Sequence, residues 1–194
     1  MNLPLSSRPN VRVVELGSDD EVRLQRFFDE SPGYFLTIHG EPATPDEARN
    51  ELLHELPPGF TFSQKWTLGF EDCDGVLVAV AQLVSDLMEP AVWQLGLFMV
   101  APGRHGTGDA QAFYQDLQDW TLANGAQWLR LAVVHGNVPA ERFWQRQGFS
   151  EIRRRDSVEM GKRLNTLIMM IKPLNGSTPE HYIQHVERER PTAA

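Results

Sequence analysis

The sequence predicts a mixed α+β domain in which helices flank one central, mostly antiparallel sheet of about seven strands. The first observation is that three strand-like runs follow one another in the middle of the chain, with turn residues between them. The second is a change to helical periodicity directly afterwards, with apolar residues on one face at Ala110, Phe113, Leu117 and Trp120. Strand and helix patterns then alternate up to residue 171. The predicted order is strand, helix, short helix, three strands, helix, strand, helix and two strands.

The bulk composition limits the classes of protein to consider. A chain of 194 residues suits one domain with a sizeable core, and we expect a domain over 1–172 and a tail over 173–194. The net charge of −8 argues against nucleic acid or an anionic membrane as a partner. The single cysteine, Cys73, excludes an internal disulfide and favours the cytoplasm. Residues 1–10 lack the apolar region of a signal peptide, and no apolar run is long enough to predict a membrane span.

The first sixty residues contain a strand and two helix signals. Residues 11–16 form a short β-branched run, and Asp19 and Asp20 then offer the start of a helix. Residues 31–58 are interrupted by prolines and glycines, so we expect mainly a loop there. Within it, Thr44 and Pro45 are typical of a helix cap and first turn, which predicts a helix through Leu53.

The remaining elements follow from turn residues and periodicity. Strand-like runs cover 65–70, 76–85 and 91–100, with hairpin-turn residues at 73–75. The helix after residue 110 stops at Gly125, and residues 128–134 form the next strand. A second helix begins after Asn137 and closes at Gly148, before strands at 149–155 and 164–171. The polar tail is expected to be peripheral, with at most a short helix near 179–189.

Residues 101–110 form a glycine-containing loop between a strand and a helix. Glycines let successive backbone N–H groups converge, and the following helix adds the positive end of its dipole. A diphosphate suits such a site. The spacing is not that of a P-loop, since no Gly-Lys-Ser/Thr follows, and the preceding β-meander does not fit a dinucleotide-binding βαβ unit.

The same window resembles the acetyl-CoA-binding motif of the GNAT superfamily of N-acetyltransferases. The pattern Val-x-Pro, glycine loop and helix is met at Val100, Pro102 and residues 105–110. The later pattern Asn-x-x-Ala-x-x-Phe, ending in Gly-Phe, is met between Asn137 and Phe149. The resemblance is strong over 65–155 and weaker over 11–60. It implies the GNAT fold, with the sheet splayed between strands 4 and 5, and acetyl-CoA as cosubstrate with no metal.

The resemblance also implies cofactor-binding roles for particular residues. The pyrophosphate would lie on the loop and first helical turn, and the pantetheine arm would pair with the end of the preceding strand. Asn137 would bond the pantetheine, and Phe143 and Trp144 would flank the cofactor, with core packing as the alternative for both aromatic residues. His105 stands where the family has Gln or Arg, which would make CoA affinity depend on pH. The remaining positions are Phe98, Met99, Val100, Gly106, Thr107, Gly108, Asp109, Ala110 and Gln111.

The catalytic groups of the family are not evident in this sequence. Trp144 stands in place of the tyrosine that many members use as a general acid, and an indole N–H cannot serve in that way. Gln94 and Ala132 stand where members carry a glutamate base. Glu89 and His135 are the candidates we name for the base. Asp86, His39 and Glu41 remain as alternatives.

The acceptor is expected to bind under the loop 31–62. Aromatic residues could line an amine pocket there or simply fill the core: Tyr34, Phe35, His39, Phe60, Phe62, Trp66 and Trp93. The predicted function is direct transfer of an acetyl group to the primary amine of a small molecule. A non-catalytic acyl-CoA-binding module and an enzyme acting on a protein N-terminus or lysine are the alternatives. The late strands and the tail are candidate surfaces for a homodimer.

Overall fold

A computed structural model of the chain describes residues 2–53, 56 and 59–189. Within these residues seven strands, β1 to β7, are Arg12–Glu15, Gln64–Glu71, Leu77–Ser85, Val92–Val100, Trp128–Val134, Ser150–Met160 and Arg163–Pro173. Over the same part of the chain six helices, α1 to α6, are Glu21–Asp29, Pro32–Ile38, Glu47–Leu53, Asp109–Ala123, Val138–Arg146 and Pro179–His185. The predicted mixed α+β class and the predicted succession of strands along the chain are confirmed.

The strands form one sheet in the order β1-β2-β3-β4-β5-β7-β6. Neighbours are antiparallel except for β4 and β5, which are parallel. Across the described residues, the β4–β5 pairing runs from Val92–Trp128 to Gln94–Arg130 and goes no further. The predicted splay between strands 4 and 5 is therefore confirmed.

A β-bulge lies at the point where the splay begins. Leu83 pairs with Leu95 but its neighbour Gln82 pairs with Leu97, so Gly96 is the extra residue of β4. A bulge bends its strand and increases the local twist. The bulge at Gly96 therefore turns the second half of β4 away from β5 and opens a slot between them.

Both faces of the sheet are covered. Helices α4 and α5 pack on one face, where Trp66 stacks on Trp93 with ring centroids 5.4 Å apart and Trp120 meets both edge-on. Helices α1 to α3 cover the other face through Leu24, Phe28 and other buried side chains. Strand β3 is buried along its whole length, because both layers meet it. Trp66 and Trp93 thus fill the core and do not line an acceptor pocket.

Helix α2 is the element that the sequence analysis did not predict. Pro32 and Gly33 are typical of a loop, but Pro32 occupies the first turn of the helix, where its missing N–H costs nothing. Phe35 and Ile38 then lie on the buried face of α2. The burial of these apolar side chains outweighs the weak helix propensity of the segment.

Phe62, which was also expected near the acceptor, is exposed.

The segment after Pro173 is not peripheral, which corrects the expectation for it. Tyr182 and Val186 are buried in a third apolar cluster with Trp128 and Ile171. Glu189 is 1% exposed and forms ion pairs with two arginines of the sheet. Only a few residues of the tail make these contacts, and those few are buried. The rest of the tail is polar, which is why its sequence suggested a peripheral segment. None of the helices in the described ranges is long and apolar enough to cross a membrane.

Candidate active site

Two cavities meet where β4 and β5 separate. The larger, about 420 Å³, lies under α2 and α3, and the smaller, about 220 Å³, lies beside the start of α5. We call them the large cavity and the small cavity. The bulged Gly96 lines both. Other side chains that line both are Tyr34, Ile38, Ala132, Met160 and Leu167.

The small cavity gathers three of the residues expected to bind the cofactor. Phe98, Asn137 and Trp144 all line it. Asn137 also caps α5, because its Oδ1 accepts a hydrogen bond from the N–H of Ala140 at 3.4 Å. Its Nδ2 is thus the atom that can donate to a ligand. Beyond the bulge, the edge of β4 that faces β5 has no ladder partner among the described residues, so it can pair with an extended amide chain.

The aromatic residues of α5 have packing roles as well. Trp144 is buried against Tyr114 and Phe149, with ring centroids 5.3 Å away in each case. Phe143 is partly buried and stacks on Phe98 at 6.2 Å, but it lines neither cavity. Met99 is buried on the opposite face of the sheet with the α1–α3 layer. These three residues therefore shape the slot through packing, and Trp144 alone of them also borders the small cavity.

The loop before α4 has the conformation that an anion site needs. Gly106 and Gly108 have φ of 77° and 85°, the left-handed region that glycine adopts without strain. A Cβ on Gly106 would find nothing within 4 Å, so the backbone there is open to a ligand. Among the described residues, none accepts a hydrogen bond from the N–H groups of Gly106, Thr107 or Gly108. With the first N–H groups of α4, at Ala110 and Gln111, this loop fits a diphosphate.

Two side chains of the loop differ from their expected roles. The ring Nε2 of His105 is 2.9 Å from the carbonyl oxygen of Val100, so the imidazole is directed back toward the end of β4. Asp109 is only 6% exposed, and its carboxylate forms ion pairs with the guanidinium groups of Arg104 and Arg8. Arginine side chains, and not the His105 ring, therefore supply the fixed positive charge at this loop.

A polar pair faces the slot from the large cavity. The Nε2 of Gln82, on β3, donates a hydrogen bond to Oε1 of Glu51, on α3. The Oε1 of Gln82 lies over Gly96, since a Cβ built there would be 2.7 Å from it. Burial raises the pKa of the Glu51 carboxyl, while the charge of Lys65 opposes the shift. A carboxylate that holds its proton more tightly is a stronger base.

Tyr34 is the polar side chain common to both cavities. Burial raises the pKa of its hydroxyl, and the carboxylates of Glu51 and Glu47 raise it further. The phenol thus stays protonated and can donate a hydrogen bond at the junction. Of the other aromatic residues predicted near the acceptor, Phe35, His39 and Phe60 do line the large cavity.

The named candidates for the base lie elsewhere. Neither Glu89 nor His135 lines either cavity; His135 is exposed and its Nδ1 lies 3.5 Å from Glu141. Asp86 accepts a hydrogen bond from the N–H of Ala91 in the β3–β4 turn. Gln94 and Ala132 do line the large cavity, and Gln94 Oε1 accepts from Arg130 Nη1 at 2.5 Å. Within the described parts of the chain, no group of three acidic, His or Cys side chains could hold a metal ion.

The sequence did not predict that Glu51 belongs to the site. One signal was present: Glu47 and Glu51 are four residues apart in a predicted helix, so they share a face. That spacing usually marks a solvated face. The partner of Glu51 at the site is Gln82, which is 31 residues away in sequence.

Comparison with known proteins agrees with this geometry. A model of the acetyltransferase (GNAT) family matches residues 21–149. A GCN5-related N-acetyltransferase from Kribbella flavida is 25% identical, with a TM-score of 0.61 over 85% of this chain and 98% of that one. No curated protein matches the chain in sequence.

Two further solved structures share the fold at lower identity. A spermidine N-acetyltransferase from Vibrio cholerae in complex with CoA and spermine is 15% identical, with a TM-score of 0.64 over 84% of this chain and 95% of that one. The ribosomal-protein-S18-alanine N-acetyltransferase from Escherichia coli is 16% identical, with a TM-score of 0.61 over 87% and 97%. These likenesses show a common fold, and their acceptors differ. On the family match, the splayed sheet and the glycine loop together, the chain belongs to the acetyltransferase (GNAT) family and is an acyltransferase.

Proposed function

We propose that this enzyme transfers the acetyl group of acetyl-CoA directly to the primary amine of a small molecule held in the large cavity. One observation carries the proposal: the two cavities meet at Gly96, beside the Glu51–Gln82 pair. One cavity adjoins the predicted cofactor residues. The other is lined by aromatic side chains and by Glu47 and Glu51, which suit a cationic amine, beside Arg155 and beside Arg130, whose charge is paired with Glu189. The thioester and the amine would thus meet at the bulge.

The acceptor must lose a proton before it can react. A primary ammonium has a pKa of about 10.4, so near neutrality it needs a base. Glu51 is that base in our proposal, since it lines the large cavity and its carboxyl has a raised pKa. Gln82 holds Glu51 by its amide Nε2 and presents its Oε1 above Gly96, where it can accept a hydrogen bond from the attacking nitrogen.

Bound acetyl-CoA supplies the acetyl group: the amine nitrogen bonds to the thioester carbonyl carbon, the carbon–sulfur bond breaks, and the sulfur leaves with the electron pair. The acceptor gives up two protons in all. Glu51 takes the first before attack and releases it to solvent. Tyr34, which borders both cavities, passes its phenolic proton to the departing sulfur as it takes one from the nitrogen, so its charge does not change.

The acceptor class is tested with the purified enzyme, acetyl-CoA and two panels, one of small primary amines and one of peptides. Thiol release with a small amine is the expected result. Faster turnover of a peptide than of every small amine would show that the acceptor is a protein N-terminus or lysine.

The base is tested with Glu51→Gln, which keeps the size of the side chain and removes its basicity. We expect kcat/KM to fall about 100-fold to 10,000-fold and the acid limb of its pH profile to disappear. Glu30→Gln is the matched control, since Glu30 forms an exposed ion pair with Arg26 on α1. An unchanged rate and profile in Glu51→Gln would exclude Glu51 as the base.

A further inference from the structure

The residues before β1 lie across α4 and are fixed at several points. The indole Nε1 of Trp120 donates to the carbonyl oxygen of Asn2 at 2.6 Å, and Leu3 packs against the core on that face. The N–H of Ser7 donates to Oδ2 of Asp116 at 2.9 Å. We call residues 2–10 the N-terminal strap. These contacts hold the strap along α4 toward the glycine loop.

The strap brings Arg8 to the loop. Arg8 Nη2 donates to the carbonyl oxygen of Thr107 at 3.3 Å, and its Nε lies 2.9 Å from Oδ1 of Asp109. A Cβ on Gly108 would be 3.0 Å from Arg8 Nη2, so the guanidinium rests directly on the loop backbone. Arg104, from the loop itself, bonds the other oxygen of Asp109 at 3.3 Å. Two guanidinium groups therefore share one buried carboxylate.

The charge of Asp109 is compensated by the two arginines. A carboxylate at the first residue of a helix is stabilised by the helix dipole. However, a diphosphate on the same loop would be repelled by an uncompensated carboxylate. Each oxygen of Asp109 is ion-paired with an arginine, and the cluster of Arg8, Arg104 and Asp109 carries a net charge of +1. Each guanidinium has five N–H donors, more than these contacts use.

The two arginines are also reachable. Their side chains are 35% and 38% exposed, whereas the side chain of Asp109 is 8% exposed. A phosphate group on the loop could accept hydrogen bonds from them without a large movement of either arginine. His105, in contrast, is directed toward Val100.

We propose that Arg8 and Arg104 bind the phosphate groups of CoA and that Asp109 is a positioning residue that holds them. The strap thus completes the cofactor site from a part of the chain outside residues 21–149 that match the family. This inference rests on the proposed use of acetyl-CoA. The ligand chemistry is that of a phosphate ester or anhydride, which in CoA comes from the pyrophosphate or from the 3′-phosphate.

Direct binding tests the inference by isothermal titration of the full chain with CoA, 3′-dephospho-CoA and pantetheine. We expect Arg8→Gln to weaken CoA binding about tenfold to a hundredfold, which is the usual effect of a lost charged hydrogen bond. Pantetheine, which lacks phosphates, should bind as before. The dependence of CoA affinity on salt should also become less steep.

Comparison of CoA with 3′-dephospho-CoA shows which phosphate Arg8 binds. An effect of Arg8→Gln on CoA alone would assign Arg8 to the 3′-phosphate, and an equal effect on CoA and 3′-dephospho-CoA would assign it to the pyrophosphate. Arg8→Lys keeps the charge but not the planar fork, and it should recover part of the affinity. Arg26→Gln makes the same change of charge on an exposed face of α1 and serves as the control.

Three results would overturn the inference. The first is CoA binding by Arg8→Gln within threefold of the unaltered enzyme. The second is an equal loss of pantetheine affinity, which would show that Arg8 only supports the fold. The third is failure of the unaltered enzyme to bind CoA, which would remove the proposed function as well. Normal CoA binding with no acetylation of any amine would instead count against the proposed acceptor and leave Arg8 in place.

Discussion

Arg130 and Glu189 form a buried ion pair between the centre of the sheet and the last described turn of the chain. The distance from Arg130 Nη2 to Glu189 Oε1 is 2.7 Å, and the two side chains are 5% and 1% exposed. Glu189 also lies 2.5 Å from Nε of Arg153, and Arg130 donates to Gln94 in the large cavity. The tail is thus tied to strands β4, β5 and β6 at one point.

Glu189→Gln should therefore destabilise the protein strongly. It would leave two guanidinium groups without their shared carboxylate, and breaking a buried pair costs about 3–5 kcal/mol. Urea unfolding measures the change in the free energy of unfolding. Glu159→Gln makes the same chemical change at an exposed position on β6 and should shift it by less than about 0.5 kcal/mol. Equal stability of the two variants would show that the pair contributes nothing net.

The free energy of unfolding of Glu51→Gln should exceed that of the unaltered enzyme by an amount that grows as pH rises. Burial raises the pKa of Glu51 in the folded state, so the folded state holds this proton more tightly than the unfolded chain does. The stabilisation from that proton is complete below the ordinary carboxyl pKa, about 4.3, and is lost as pH rises through the raised value. Urea unfolding at pH 4, 6 and 8 should show a growing advantage of Glu51→Gln. A difference that stays constant with pH would contradict the raised pKa.

Tyr34→Phe should lower kcat with little effect on CoA affinity. The change removes the phenolic proton at the junction of the cavities and keeps the ring. We expect a loss of about tenfold, at the small end for general acids, because a thiolate is a good leaving group. The control is Tyr114→Phe, which removes a hydrogen bond to Gln118 at 2.9 Å in the core and should leave turnover unchanged. Turnover of Tyr34→Phe at the full rate would mean that water protonates the sulfur.

Gly96→Ala should impair catalysis through Gln82. The added Cβ would lie 2.7 Å from Gln82 Oε1 and would push that amide away from the slot, which weakens its bond to Glu51. We expect kcat/KM to fall by at least about tenfold while the fold persists, since Gly96 is exposed to the cavities and has an extended backbone. Steady-state kinetics and circular dichroism check the two halves of this prediction. Full activity would indicate that the position of Gln82 does not matter.

Most of the fold could be predicted because its signals are local. Strand β5 was expected over 128–134 and forms there, since turn residues and apolar periodicity mark both of its ends. The loop before α4 was predicted for the same reason: glycines at 106 and 108 are needed for its positive φ. Helix α2 was not predicted, because its stability comes from burying Phe35 and Ile38 against distant elements.

The polar contacts of the site could not be predicted because they join distant parts of the chain. Glu51 meets Gln82 across 31 residues, Arg8 meets Thr107 across 99, and Arg130 meets Glu189 across 59. Periodicity places each residue on a helix or strand but carries no information on its partner. His105 shows the same limit: its position was predicted, but the direction of its ring depends on the carbonyl of Val100.

The presence of two connected cavities has a kinetic consequence. In the proposed function each substrate occupies one of the cavities on either side of Gly96, so both are bound at once. No side chain then needs to carry the acetyl group between them, and the enzyme would work through a ternary complex. Double-reciprocal plots at several fixed acceptor concentrations should then intersect, whereas parallel lines would reveal an acetylated enzyme.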